Sequence, residues 1–463
     1  MTLPNGPQTL PLLQMLHWIA RPFSFMDACA RKYGDIFTVP LSKNFAPVVF
    51  VSNPQALQQI LSSDSKEFDA PGDTSLNQLF QPFLGEHSVI TLSGDRHRRQ
   101  RQLLMPPFHG ERMRTYGELI SNITEQIISQ WKIGQPFAVR DSMQAISLRV
   151  ILRAVFGLTE GPRYQQLEEL LNSLLNVTSS PLSVSMLYFP ILRQDLGPLS
   201  PWGRFIRQKQ QIDQLLYAEI QERRDQLDSS RTDILALLMC ARDQADELMT
   251  DVELRDELMT LLLAGHETTA TAITWALYWI HKLPKVRDKL LQELDCLGDH
   301  PEASAILRLP YLNAVCSETL RIYPIGMLTF PRVVKSPCEL IGYQLDPGTV
   351  LIGSIYLTHQ REDVYPEPKQ FKPERFLERQ FSPYEYLPFG AGSRRCIGMA
   401  FAQFEMKIVL AKILSRFEMA LADNRPVRPL RRGLVSAPSS VRLVLNGQRS
   451  ESSQKPQLSS SNV

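Results

Sequence analysis

Apolar residues along this chain recur mostly at intervals of three and four, with a few short stretches of strand-like character between them. "DIFTVPL" (35–41) and "APVVFVSNP" (46–54) predict two short strands closed by a turn at Asn53-Pro54. Beyond them the spacing is helical, and the stretches 115–132, 162–177 and 205–227 each predict an amphipathic helix. The longest predicted element is "TDVELRDELMTLLLAGHETTATAITWALYWIHKLP". Thr250 with Glu253 gives it a capping-box start, and Pro284 marks the stop. At the standard rise such a helix is ~50 Å long. From about Met259 to Ile280 it is apolar on most faces, which predicts a path through the interior. "PYLNAVCSETLRIYP" (310–324) predicts another helix, bounded by prolines, and 332–360 returns to short strands around a "DPG" turn.

The expected fold class is therefore mainly α with small β-sheets (α+β). No linker-like stretch divides residues 1–447, which read as a single domain, and the polar, serine-rich 448–463 read as a disordered tail.

Composition narrows the function. Hydrophobic residues make up 43% of the 463 and charged residues 21%, as in a globular protein with a large core. A formal net charge of +2 provides no bulk attraction to nucleic acid. The six cysteines, at 29, 240, 296, 316, 338 and 396, form no CxxC pair, so neither a disulfide framework nor a zinc site is expected. A reducing, cytoplasmic setting follows. The N-terminus lacks a basic region and a cleavage site, so it is not a secretory signal. Its apolar part, 10–20, is far short of the ~20 residues a membrane span needs. The segment could lie on a bilayer surface as a peripheral contact, but docking on the protein's own body is the favoured reading.

The chemistry concentrates in "YLPFGAGSRRCIGMAFAQFEMKIV" (386–409). A lone cysteine is often only a small buried hydrophobe. Here Gly390, Gly392 and Gly398 permit a tight turn or a close approach by a flat ligand, and a helix starting near Met399 aims its positive end at the Cys396 sulfur. That arrangement is expected to lower the thiol pKa. "GAGSRR" has arginine where a dinucleotide-binding motif has its third glycine, and no βαβ unit or suitably placed acidic residue follows. A protected thiolate without a partner cysteine or histidine nearby suits a nucleophile or a metal ligand.

"FGAGSRRCIG" (389–398) resembles the F-G-x-G-x-R-x-C-x-G signature of the cytochrome P-450 superfamily at every specified position. The resemblance implies that Cys396 is the axial thiolate of haem b, the one metal ligand from the chain. It places Phe389 beside the sulfur and Gly390 and Gly392 in the cofactor loop. Arg394 would sit on a haem propionate, and Gly398 would let the helix lie close to the porphyrin. The fold it implies holds haem between the long central helix and the helix after the cysteine turn.

Other motifs agree in order and spacing. "AGHETT" (264–269) is similar to the superfamily's oxygen-activation motif. Ala264 and Gly265 would then face the cofactor, Thr268 would stabilise the oxygen being activated, and Glu267 would deliver protons. A carboxylate and a threonine on a helix usually form only a solvated face, but this helix reads as buried. "ETLR" and "FKPERF" supply Glu318, Arg321 and Arg375, a buried charge network in the superfamily. In "GDRHRRQRQLLMPPFHG" (94–110), His97 and Arg101 share a helix face that would meet the propionates, with Arg332 as a further candidate. Arg96, Arg98 and Arg99 would remain exposed, either simply solvated or docking an acidic electron-transfer protein.

The resemblance implies insertion of one oxygen atom from O₂ into a C–H bond or double bond. No dinucleotide, flavin or iron–sulfur signature is present, so a separate ferredoxin or flavodoxin with its reductase is expected. The oily segments 76–85, 174–192, 258–265 and 325–330 favour a lipophilic substrate, with Arg193 or Arg204 as carboxylate anchors if it is a fatty acid. The sequence style resembles cyanobacterial members thought to hydroxylate fatty acids, alkanes or terpenes. A monomer is expected. The alternatives are a peroxide-using or isomerising haem-thiolate enzyme, a haem-thiolate sensor or carrier, and a thiol hydrolase.

Overall fold

Residues Asp251–Lys282 form one unbroken helix of 32 residues, around which the rest of the molecule is organised. Its start is the capping box expected from Thr250 and Glu253: the Glu253 carboxylate accepts from the Thr250 amide at 2.8 Å, and the Thr250 hydroxyl accepts from the Glu253 amide at 3.2 Å. The computed structural model describes residues 3–449 apart from 41–46, 63–66, 70–79, 109–111, 159, 179–184, 187–188, 190–191, 199, 227–230, 299–300 and 434. Most of the expected tail therefore lies outside the described residues.

The central helix packs along Val139–Phe156, Met399–Arg416 and Pro310–Ile322, and the largest hydrophobic cluster gathers at these contacts. The helices expected over 115–132, 162–177 and 205–227 are present as Arg112–Ile128, Pro162–Thr178 and Pro201–Asp225.

The main sheet has five strands in the order Ile36–Val39, Val48–Val51, Val350–Gly353, Arg332–Val334 and Phe68–Asp69. Both of its faces are covered. Ile36, Val49 and Val51 pack with Leu57 and Ile60 in one cluster, while Phe37, Val48 and Phe50 pack with Trp18 and Phe25 in another. Two-sided burial explains why "VVFV" is apolar at every position.

Two local expectations are corrected. Asn53-Pro54 does not close a hairpin. Asn53 caps the helix Pro54–Leu61, accepting from the amides of Gln55 and Ala56 at 2.9 and 3.2 Å. The run 332–360 ends as the short helix Ile355–His359, because the Ser354 hydroxyl accepts from the Leu357 amide and caps it.

The N-terminal helix Pro11–Ala20 docks through Met15 and Trp18, as favoured above. Its buried face is not wholly apolar, however. Gln14 is buried and donates to the carbonyls of Pro7 and Thr9 at 2.9 and 2.6 Å, while Leu12, Leu13 and Leu16 face outward. Among the described residues no helix is long and apolar enough to cross a membrane.

Candidate functional site

The turn before Met399–Arg416 is built by two glycines in the left-handed region, Gly390 at φ +70° and Gly392 at φ +67°. They fold the chain back so that the Cys396 amide donates to the Phe389 carbonyl at 2.9 Å. The loop passes the end of the Pro54–Leu61 helix so closely that a Cβ on Gly392 would lie 1.9 Å from the Leu61 carbonyl oxygen. Gly398 caps the following helix, and a Cβ there would meet nothing within 4 Å.

Above this turn lies a cavity of about 380 Å³. Cys396, Phe389 and Gly398 line one wall, and Ala264, Gly265 and Thr268 of the central helix line another. A flat group between these two helices would have the thiol on one face and Thr268 on the other.

Electrostatics test whether haem fits. Burial pushes the Cys396 thiol above its usual pKa, against the lowering effects of the Gly398 amide, Arg101 and Arg395. The expected lowering of the thiol pKa is thus not the net result, because desolvation outweighs it. A bound metal ion reverses that balance, because a coordinating thiol is deprotonated outright. The same cavity is lined by His97, Arg101, Arg332, Arg394 and Arg395. Arg332 is 1% exposed, so its charge lies in the interior. The one carboxyl among the described lining residues, Glu257, is held protonated at neutral pH by burial, which raises its pKa to about 8. Cationic lining side chains, a thiol and a largely apolar cavity suit iron protoporphyrin, whose two propionates would bring negative charge beside them.

The structure also redistributes some expected contacts. Arg394 donates to the carbonyls of Val89 and Leu92 at 3.0 and 2.6 Å. The absent Cβ of Gly265 serves helix packing, since a methyl there would press on Ile151 of Val139–Phe156 at 3.0 Å. Thr268 lines the cavity and its hydroxyl donates to the Ala264 carbonyl at 2.6 Å, the back-bond that loosens a helix locally. Glu267 does not line the cavity among the described residues. Consecutive helical residues diverge by ~100°. Glu267 therefore faces Val139–Phe156, pairing with Arg140 at 2.5 Å and accepting from Gln144 at 2.7 Å. Neighbouring His266 is fully buried, and desolvation lowers its pKa to about 4, so it is neutral.

Arg99 is not exposed with Arg96 and Arg98; it pairs with Asp243 and with Glu253, the latter at 2.7 Å. Glu318 is fully buried and accepts from Arg321 at 2.6 Å, from Arg375 at 3.2 Å and from the Lys372 amide at 2.8 Å. Removing one member of such a network costs ~3–5 kcal/mol. Arg193 donates to the Met186 carbonyl, Arg204 is exposed, and neither lines the cavity, so the carboxylate anchor expected there has no support. Of the oily segments, 258–265 and 325–330 do line the cavity, while parts of 76–85 and 174–192 lie outside the described residues.

Sequence reasoning missed Val139–Phe156, whose Arg140, Gln144 and Ile151 contact the oxygen-activation motif. It also missed Glu257, whose one visible signal was a carboxylate two helical turns before Ala264.

The family profile described as Cytochrome P-450 matches residues 4–445. The Mycobacterium tuberculosis protein named cytochrome P-450 135B1 is 36% identical over 95% of this chain and 90% of its own length. The one named cytochrome P-450 138 is 33% identical over 94% of each chain. Among solved structures, a retinoic acid-bound cyanobacterial CYP120A1 superposes with a TM-score of 0.82 at 24% identity, covering 97% of this chain and 100% of that one.

Proposed function

The chain belongs to the cytochrome P-450 family and is a haem-thiolate monooxygenase, and from that premise we propose that it hydroxylates a lipophilic small molecule with electrons from a separate redox protein. Residues 1–447 act as one haem domain in this reading. Cys396 would ligate the iron of haem b, with His97, Arg101 and Arg332 on its propionates and Phe389, Gly390, Gly392, Gly398, Ala264 and Gly265 against its faces and edge. When bound, haem supplies reductive activation of O₂ and insertion of one of its atoms into substrate. Thr268 orients a proton at the cavity wall. Glu267, one position earlier and on a different face of the helix, is held by Arg140 and Gln144 and would pass protons toward Thr268 from that side.

The observation that carries the substrate class is the wall opposite Cys396. Leu261, Ala264, Ile325, Leu328 and Phe330 present apolar surface, and the Thr268, Thr269 and Thr329 hydroxyls donate to the chain itself. A pocket whose hydroxyls are already engaged favours a substrate with few polar groups. Fatty acids, alkanes and terpenes are the preferred classes. Retinoic acid, bound in the cyanobacterial fold neighbour, is a lipophilic acid and belongs in the same panel. For the electrons, a ferredoxin or flavodoxin is favoured by the lack of any dinucleotide or flavin signature in the sequence. Exposed Arg96 would present positive charge to it, whereas Arg98, also exposed, pairs with Asp95 at 2.8 Å.

Spectral titration of the holoenzyme with this panel tests the reading. At least one lipophilic class should produce a high-spin shift, and Thr268→Ala should keep that shift while turnover falls by ~10²-fold. A flat response to every lipophile, or full turnover by the Thr268→Ala variant, would overturn it.

A further inference from the structure

The short helix Ile355–His359 ends on a fully buried imidazole. Its two ring nitrogens join segments that lie far apart in sequence. The Leu387 backbone amide donates to His359 Nε2 at 3.1 Å, so Nε2 is the nitrogen without a hydrogen. Nδ1 then carries the hydrogen and donates to the Arg321 carbonyl at 3.2 Å. Burial lowers the imidazole pKa to about 3, so the ring stays neutral and keeps one donor and one acceptor. The acceptor side leads to the cysteine turn. Leu387 is buried, and its carbonyl accepts from the Gly390 amide at 2.9 Å. Two residues after Leu387, the Phe389 carbonyl accepts from the Cys396 amide.

The donor side leads to Pro310–Ile322. The last four carbonyls of a helix have no partner within it. Here His359 takes that of Arg321, and the Gln360 side chain takes that of Ile322 at 3.2 Å. Arg321 returns a bond, its guanidinium donating to the His359 carbonyl at 2.8 Å. The imidazole is thereby tied to the Glu318 charge network. The ring is also held on its faces. Tyr386 stacks on it with centroids 5.6 Å apart and planes at 21°, and Tyr365 meets it edge-on at 6.1 Å. Tyr386 is fixed in turn, its hydroxyl donating to the Ser317 carbonyl at 3.1 Å. Two successive residues on the approach to the cysteine turn are therefore referred to one helix, Tyr386 directly and Leu387 through His359.

We propose that His359 is a positioning residue for the thiolate, its Nε2 fixing the Leu387 amide and with it the register of the turn that presents Cys396. This rests on the reading that Cys396 ligates haem iron, which the wild-type spectrum tests by itself. What the position requires is an acceptor facing Leu387. A glutamine carbonyl can supply one. A phenylalanine keeps the stack on Tyr386 but turns a C–H toward the amide, leaving a buried donor without a partner.

The experiment compares wild type, His359→Phe, His359→Gln and Gln360→Leu holoenzymes. The readouts are the Soret band of the reduced protein under carbon monoxide and hydrogen exchange over 384–398. His359→Phe should move part of the red-displaced band to the position typical of haem without thiolate, and raise exchange at 387–390 by about tenfold. His359→Gln should recover most of both. Gln360→Leu removes the neighbouring cap, so it should lower the thermal midpoint while band and exchange stay near wild type. Should His359→Phe fail to fold, Tyr386→Phe deletes only the Ser317 bond and should raise exchange in the same peptide. Unaltered band and exchange in His359→Phe, or unaltered exchange in Tyr386→Phe standing in for it, would overturn the proposal. Equal band losses in His359→Phe and His359→Gln, or in His359→Phe and Gln360→Leu, would do the same. A wild-type protein without the red-displaced band would instead overturn the ligation reading itself.

Discussion

Gly392 shows how narrowly single residues constrain this site. Its φ of +67° lies where a side chain is strained, and a Cβ would overlap the Leu61 carbonyl, a backbone atom that cannot swing aside. Gly392→Ala should therefore cost at least ~1–3 kcal/mol. It should also loosen haem retention, because relief requires the cysteine turn to move. Thermal unfolding of the holoprotein and haem content after gel filtration check this, and an unchanged midpoint would contradict it. Gly398 contrasts with it, since a Cβ there meets no protein atom within 4 Å. No contact among the described residues demands a glycine there, and the open position suits the flat group proposed for this cavity. The turn before Cys396 was legible because Gly390 and Gly392, both at positive φ, stand where a tight turn was expected. The direction of the Cys396 pKa was not, because desolvation depends on the whole surrounding body rather than on the helix that follows.

At the scale of elements, what was readable depended on whether the determining contacts are local. The central helix could be bounded from sequence because Thr250, Glu253 and Pro284 act within a single turn. Val139–Phe156 was invisible because it is surrounded: Val150, Leu152 and Val155 are all buried and point in different directions, so no one-sided stripe marks it. Its absence from the sequence reading hid the partners of Glu267. An acid and a threonine adjacent in sequence looked like one relay, yet the helix turns them onto different faces. The opposite error occurred at Asn53-Pro54, where the same two residues suit a turn or a helix start and only the apolar face of the following helix decides. The hydrogen bonds that tie Val89 to Glu257 and to Arg394 join segments about 170 and 300 residues apart, a distance over which local sequence patterns carry no information.

For the molecule as a whole, buried ionisable groups should set the pH optimum of stability. Desolvation holds His266 and His281 down to about 4 and His359 to about 3, so they stay neutral in the fold but protonate on unfolding below their usual 6.5. They cost stability as pH falls from 6.5. Glu257 and Glu405 are held up to about 8 from the usual 4.5, so the folded state retains protons that the unfolded chain releases. They cost stability as pH rises from 4.5 to 8. Between 4.5 and 6.5 the three imidazoles outweigh the two carboxyls, and above 6.5 only the carboxyls act. The thermal midpoint should thus peak near pH ~6.5 and decline on both sides. A midpoint that climbs steadily to pH ~9 would contradict this balance.

Reduced holoprotein under carbon monoxide provides the most direct check on the haem-thiolate assignment. The wild-type chain should display a strongly red-displaced Soret band, and Cys396→Ser should lose that band while still folding around its haem. A wild-type band at the position typical of histidine-ligated haem, or a Cys396→Ser protein that keeps the red-displaced band, would contradict sulfur ligation at this position.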